Sequence, residues 1–412
     1  MTGPLWTRLP DGWMTGRVKN IATVTLGKML QSKDSGSDVS APYLRAANVQ
    51  PDGLLTLNDV NEMWFSEAEL EQLSIRAGDV VVVEGGQGGF GRAAYVENDL
   101  PGWGFQNSIN RLRPIGDFDG RFIAFYLIAL RASGYIRAYS NVVSMPHLTA
   151  EKLARVPIPL PPVKQQRAIA DYLDRETARI DTLIEEQQRL IELLHERREA
   201  TIRRAITSSI DAAATAPSGV NLLGDIPKHW RMVPTRYLCT ITTGSEDSGN
   251  ATDDGDYPFY VRGRQVLRIG HYSFDGEAVM TPGDGQGGTG KVFHYFNGKF
   301  EAHQRVYVFK DFLGILGWYF YYFLSTFLRP VALAGSNTVT MESLRRPLLA
   351  DFKVALPPLD EQRRITAYLD KQTSKIDTLI AETERLIELV RERRSALITA
   401  AVTGQIDVRE AA

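Results

Sequence analysis

The sequence predicts an α+β protein: two globular, mixed α/β domains separated by two long helices that form an antiparallel coiled coil, as a pseudo-two-fold internal repeat. Three observations carry this. Residues 160–174 read LPPVKQQRAIADYLD and residues 356–370 read LPPLDEQRRITAYLD, one phrase written twice, 196 positions apart. The likeness runs without a gap from Leu160–Asp211 to Leu356–Asp407, with about 30 of 52 positions identical, far beyond chance for an internal comparison. After each proline pair, about 45 residues pass with neither proline nor glycine, up to Gly404 in the second copy, as a long helix requires.

In chain order, residues 1–158 are expected to form a first variable domain and 159–211 a long helix. A small, polar linker follows at 212–222, then a second variable domain at 223–354 and a second long helix at 355–407. Within the variable domains GDVVVVEGG (78–86) is a β-branched run closed by glycines, a strand and a turn. KVFHYF (291–296) and RVYVFK (305–310) alternate as strands do. Each domain ends in an apolar stretch, 122–136 and 312–328. The first carries Arg131 and the second falls short of the roughly 20 residues that span a bilayer, so both read as buried helices with no membrane contact.

Pro161-Pro162 and Pro357-Pro358 mark the helix starts. Apolar residues recur at Leu173, Ile180, Leu183, Leu190 and Leu194, and again at Leu369, Ile376, Leu379, Leu386 and Val390. This 3-4 pattern is a coiled-coil seam; Ile184, Ile191, Ile380 and Ile387 widen it. A helix of about 65 Å cannot leave such a stripe in water, and the other copy is the nearest partner. On this reading, replacing Leu183 and Leu379 by Asp should break the pair, since a buried, unpaired carboxylate costs several kcal/mol.

The chain carries no recognisable catalytic signature. None of its glycine clusters ends in the Lys-Ser or Lys-Thr of a phosphate-binding loop, and GGQGGFG (85–91) is followed by RAAYVEN, not by a helix start. No His/Cys spacing suggests zinc, and His147, His271, His294 and His303 read as surface or packing residues. The single cysteine, Cys239, fits a reducing, cytoplasmic setting, and the first 13 residues show no secretory pattern. A net charge of −2 does not by itself advertise a nucleic-acid binder.

Landmarks persist between the two variable domains. Leu9-Pro10-Asp11-Gly12-Trp13 resembles Ile226-Pro227-Lys228-His229-Trp230, and NVVSMPHL (141–148) resembles NTVTMESL (337–344). Gln87, Gly88 and Gly89 match Gln286, Gly287 and Gly288, each trio near a cation, Arg92 or Lys291. Glycine lets backbone approach closely, and a glutamine amide can both donate and accept at one base edge; a tight turn between strands is the plainer alternative. Gln106, Asn107 and Asn110, and His303, Gln304 and Arg305, are polar positions in strand-like stretches, facing either a ligand or solvent. Asn141, Ser144, Asn337 and Thr340 cap a helix or contact phosphate.

This plan resembles the specificity subunit of type I restriction–modification systems. The resemblance covers essentially the whole chain and rests on the proline pair, the Gln-Arg, the Tyr-Leu-Asp, the Ile-Asp-Thr-Leu-Ile and the Glu-Arg-Arg, each present twice in order. It implies two target recognition domains reading a split site in double-stranded DNA, with the helix pair as a ruler for the gap. It implies no active site and no cofactor in this chain: S-adenosylmethionine, ATP and magnesium belong to the partners. Those partners are two modification methyltransferase subunits acting on adenine, and restriction subunits that translocate DNA. The rival reading is a coiled-coil scaffold holding two protein- or glycan-binding domains.

Overall fold

The computed structural model describes residues 3–86, 88–140, 147–208, 214–284, 289–334 and 343–408. The chain divides into two compact units, residues 1–187 with 385–412, and residues 188–384.

The first unit opens with strands β1 Met14–Arg17, β2 Ala22–Leu26, β3 Val39–Leu44 and β4 Asn61–Phe65, then helix α1 Glu67–Gln72. There follow β5 Val80–Val83, β6 Ala93–Tyr95, β7 Gly104–Phe105 and β8 Ile109–Pro114, helices α2 Gly120–Ala132, α3 Tyr135–Tyr139 and α4 Ala150–Ala154, and β9 Pro157–Leu160. They assemble sheets ordered β2-β8-β5-β6 and β4-β3-β7, and a separate pair β1-β9. The continuous valine run of β5 is explained by burial on both faces. Val80 and Val82 pack into the core under α2, while Val81 and Val83 pack into the core of the second sheet.

The second unit contains β10 Thr215–Pro217, β11 Asp225–Pro227, β12 Arg231–Pro234, β13 Thr240–Thr243, β14 Tyr257–Tyr260 and β15 Val266–Ile269. After them come β16 Phe274–Pro282, β17 His294–Ala302, β18 Val306–Lys310, helices α6 Gly317–Ala334 and α7 Arg346–Asp351, and β19 Lys353–Leu356. Six strands form one sheet, β13-β18-β16-β17-β14-β15. The nine-residue β17 pairs with β16 on one side and β14 on the other. In the first unit the same path is interrupted between β6 and β7 by a turn through Pro101 and Gly102, so the sheet falls into two. Two sequence expectations shift slightly. The strand anticipated at 291–296 starts at His294, and part of the anticipated linker forms β10 against β11. Among the described residues no helix is long and apolar enough to cross a membrane.

The long helices are α5 Val163–Thr207 and α8 Leu359–Val402. In the first unit Ile169 and Leu173 of α5 share a core with Ile398, Ala401 and Val402 of α8. In the second, Ile191 and Leu194 of α5 pack with Ile376 and Ile380 of α8. The helices are therefore packed together and antiparallel. Arg394 Nε donates to Asp181 Oδ1 at 2.9 Å in the first unit, and Arg198 Nε to Asp377 Oδ1 at 2.8 Å in the second. Arg394 is the repeat equivalent of Arg198, and Asp377 of Asp181, so one ion pair is written twice. Beyond α8, Gly404 takes φ +70°, where a Cβ would meet Pro10 at 2.4 Å, and Val408 is buried in the first unit's core.

The seam needs correction. In α8 the buried stripe runs Leu369, Thr373, Ile376, Ile380, Thr383, Ile387 and Val390. In α5 the matching positions are Leu173, Thr177 and Leu194, buried, with Ile180, Ile184, Gln187 and Ile191 half-buried between them. Leu183, Leu190, Leu379 and Leu386, expected on the seam, are 36, 41, 49 and 41% exposed. Adjacent Leu-Ile pairs allow two phases of the 3-4 pattern, about 100° apart around the helix. The true phase passes through threonine, which apolar counting misses. Each hydroxyl is satisfied inside its own helix: Thr177 donates to Leu173 O at 2.7 Å and Thr373 to Leu369 O at 2.8 Å.

Candidate nucleic-acid interface

In each unit, loops distant in sequence meet at one end of the strands of a sheet. In the first, the Glu84 N–H donates to Ser108 O at 2.9 Å and the Leu148 N–H to Glu84 O at 2.8 Å. The Asn107 N–H donates to Lys28 O at 2.8 Å. This joins the turns at 26–31, 84–86, 106–108 and 147–149. In the second unit Gly283 N–H donates to Arg305 O at 2.8 Å, Leu344 N–H to Gly283 O at 2.7 Å and Gln304 N–H to Glu246 O at 2.8 Å. The arrangement is thus repeated, with different side chains on the same backbone frame.

Two glycines make the junction possible. A Cβ on Gly27 would lie 2.2 Å from Gln106 O, and one on Gly244 would lie 1.7 Å from Ala302 O, both inside contact distance. Neither stands out in the sequence, because the close approach joins residues far apart along the chain.

Of the sequence candidates in the first unit, Gly88 is exposed at φ +80° and Gly89 is buried. Arg131 pins their loop by donating to Phe90 O at 3.1 Å and Gly88 O at 3.3 Å. Arg92 is half-buried and donates to Val49 O at 3.3 Å. Gln106 and Asn107 are half-buried at the edge. Asn110 is wholly buried, its amide donating to Leu148 O at 2.8 Å; it braces the junction and does not reach solvent. In the second unit Lys291, Gln304 and Arg305 are exposed, Arg305 paired with Asp284 at 2.8 Å. His303, 2% exposed, accepts from the Arg305 N–H at 3.0 Å and is likewise internal. Gln87, Asn141, Ser144, Gln286, Gly287, Gly288, Asn337 and Thr340 lie outside the described residues.

The structure adds two residues that sequence reasoning passed over, Arg262 and Arg45. Arg262, on the turn between β14 and β15, lies 3.8 Å from Asp284. His294 holds that turn by donating to Gly263 O at 3.2 Å, and burial depresses its basicity. Arg45 follows β3 and pairs with Asp59. The exposed Gln304 amide and the Arg262 and Arg305 guanidinium groups can bond base edges and phosphates. Burial pushes the Cys239 thiol up to about 12, so it is no nucleophile at neutral pH. Among the described residues no group of three or more His, Cys, Asp or Glu side chains could hold a metal ion.

The repeated phrase serves as the mount for these frames. In both units the strand leading into the variable domain pairs with the strand leaving it, β1 with β9 and β12 with β19. The Trp13 indole donates to Gln165 at 2.8 Å, and the Trp230 indole to Glu361, the repeat-equivalent position, at 3.1 Å. Gln166 and Gln362, both buried, donate to Pro161 O at 2.8 Å and Pro357 O at 2.9 Å. Their other amide atoms accept from the residues before α2 and α6, Asp119 N–H at 3.2 Å and Leu316 N–H at 2.8 Å. The Pro-Pro, the Gln and the Trp that the sequence repeats are thus the joints between a variable domain and its helix.

The sequence profile of the type I restriction modification DNA specificity domain matches residues 10–193 and 227–389. The chain is 30% identical over 183 residues to the type I restriction enzyme EcoDI specificity subunit of Escherichia coli, spanning 44% of this chain and 40% of that one. With the StySPI specificity subunit of Salmonella potsdam it shares 20% identity across 97% of this chain and 90% of the relative. Its fold is similar to that of a chain from the assembled type I restriction–modification system (TM-score 0.71, 20% identity, 97% of this chain and 100% of that one). It is also similar to the HsdS subunit from Thermoanaerobacter tengcongensis (TM-score 0.55, 18% identity, 98% and 100%).

Proposed function

Because the chain belongs to the type I restriction–modification DNA specificity family, we propose that each variable domain reads one half of a split DNA target while the helix pair holds the spacing. The observation that carries this is the pair of unlike loop frames mounted through the same residues of a repeated helix. A two-domain object of this kind matches two half-sites on one duplex. The chemistry then lies elsewhere, in adenine-methylating modification subunits that bind S-adenosylmethionine, and in restriction subunits that use ATP and magnesium. The setting is the cytoplasm.

The exposed leucines support two equivalent docking sites for the modification subunits. Leu183, Leu386 and Leu389 belong to the first unit, and their repeat equivalents Leu379, Leu190 and Leu193 to the second, each 36 to 53% exposed. Apolar residues repeated at matching surface positions favour a helical partner, which explains why the helices stay alike while the domains differ. The near-neutral net charge fits a subunit whose partners supply part of the phosphate contacts.

Single-molecule methylation mapping of the host genome tests the reading: a split motif with adenine methylated on both strands is the expected result. No motif lost on deleting the gene would refute it. Gel shifts at physiological salt should show weak binding by the chain alone and tight, sequence-specific binding with the modification subunit. The scaffold reading predicts no DNA binding in either case.

A further inference from the structure

We infer that Asp174 and Asp370, the aspartates of the two Tyr-Leu-Asp motifs, are positioning residues that fix the tilt of each variable domain on its helix. They do so through a donor at one matched position: Arg121 in the first unit and Trp318 in the second. The inference rests on the DNA-reading function proposed above.

The equivalence is one of place. Gly120 opens α2 and Gly317 opens α6, and in both the preceding residue or its neighbour is held by the repeated glutamine. The next residue is Arg121 or Trp318. Arg121 Nη1 donates to Asp174 Oδ2 at 2.8 Å, with Asp171 at 2.8 Å and Asp119 at 3.2 Å also around the guanidinium. The Trp318 indole donates to Asp370 Oδ1 at 2.6 Å, joined by the Tyr322 hydroxyl at 2.9 Å. Two unlike side chains therefore reach the same acceptor from the same helix position. A cation serves in one unit and two neutral donors in the other.

Position along the helix makes this a control of angle. Gln362 and Asp370 are eight residues apart, about 12 Å along the axis. One polar joint at the helix start defines a pivot; a second, two turns on, removes the rotation about it. The apolar contacts between Phe320, Phe323, Ile365 and Leu369 hold the domain down but are non-directional. A domain of this size has a radius of gyration of about 14 Å and is about 36 Å across. A tilt of roughly 5.5° then moves its far face by about 3.4 Å, one base-pair step.

The test uses the full chain assembled with its modification subunits and DNA whose spacer is the native length or one base pair longer or shorter. The Asp370→Ala complex should lose at least tenfold of the wild-type preference for the native spacer, while Asp370→Asn, which keeps an acceptor, restores it. Trp318→Phe with Tyr322→Phe removes both donors and retains the rings, and should behave as Asp370→Ala does; it also decides the matter if Asp370→Ala fails to assemble. An assembled Asp370→Ala or doubly substituted complex with unchanged spacer preference overturns the inference. A wild-type complex that methylates with no sequence preference refutes the DNA-reading premise instead. The latch is then judged by amide hydrogen exchange over residues 317–322, expected at least tenfold faster in the variants; unchanged exchange overturns it.

Discussion

Ile380 and Leu379 are neighbours in one helix with opposite surroundings, and the contrast fixes the coiled-coil phase. Ile380 is 8% exposed and packs with Leu194 and Ile376, with Ile191 beside them; Leu379 is 49% exposed. Removing a fully buried isoleucine side chain forfeits roughly 2–5 kcal/mol, transfer and cavity together, and about 3 kcal/mol is a fair middle value for Ile380→Ala. Leu379→Ala keeps its helix propensity and gives up half-wetted surface, so about 1 kcal/mol or less is expected. With a urea dependence of about 2 kcal/mol per M, Ile380→Ala should lower the unfolding midpoint of the second unit by about 1.5 M. Leu379→Ala should move it by less than about 0.5 M. Far-UV circular dichroism across a urea series is the assay. Equal losses, or a larger loss at Leu379, would refute the phase and return the seam to the leucines that a sequence count prefers.

The duplicated ion pair offers an internal comparison. Arg394 is 13% exposed against 35% for Arg198, so Arg394→Ala should cost about 1–2 kcal/mol and Arg198→Ala under about 1 kcal/mol, with 1 M salt shrinking the second effect more than the first when both are followed by urea unfolding. His294 predicts acid sensitivity of the second unit: burial lowers its folded pKa, so the unfolded chain binds the proton first and stability falls as pH drops below about 6.5; His294→Gln should flatten the urea midpoint between pH 7 and 5.5, and an unaltered slope would exclude this histidine as the cause.

Much of the architecture was legible because it was repeated or periodic. The proline pairs, the proline- and glycine-free stretches and the valine run of β5 each report a local rule, and each appears in the structure where that rule puts it. The seam phase was not legible, because hydrophobicity ranks Leu183 above Thr177 while the helix buries the threonine and satisfies its hydroxyl internally. Direction within the candidate interface was equally hidden. Asn110 and Gln106 look alike in sequence, yet strand register turns Asn110 fully inward. Arg121 and Trp318 share no chemistry that an alignment rewards; their kinship is a matter of which atom each one reaches.

The first unit's core is not complete until very late. Trp6 shares a hydrophobic cluster with Ile398, Ala401, Val402 and Val408, so the opening residues wait on the ribosome for a wall supplied almost four hundred positions later. Residues 188–384 can consolidate sooner, since everything their core uses has by then been synthesised. A prematurely terminated chain therefore carries an unsealed first unit, with apolar surface open to water.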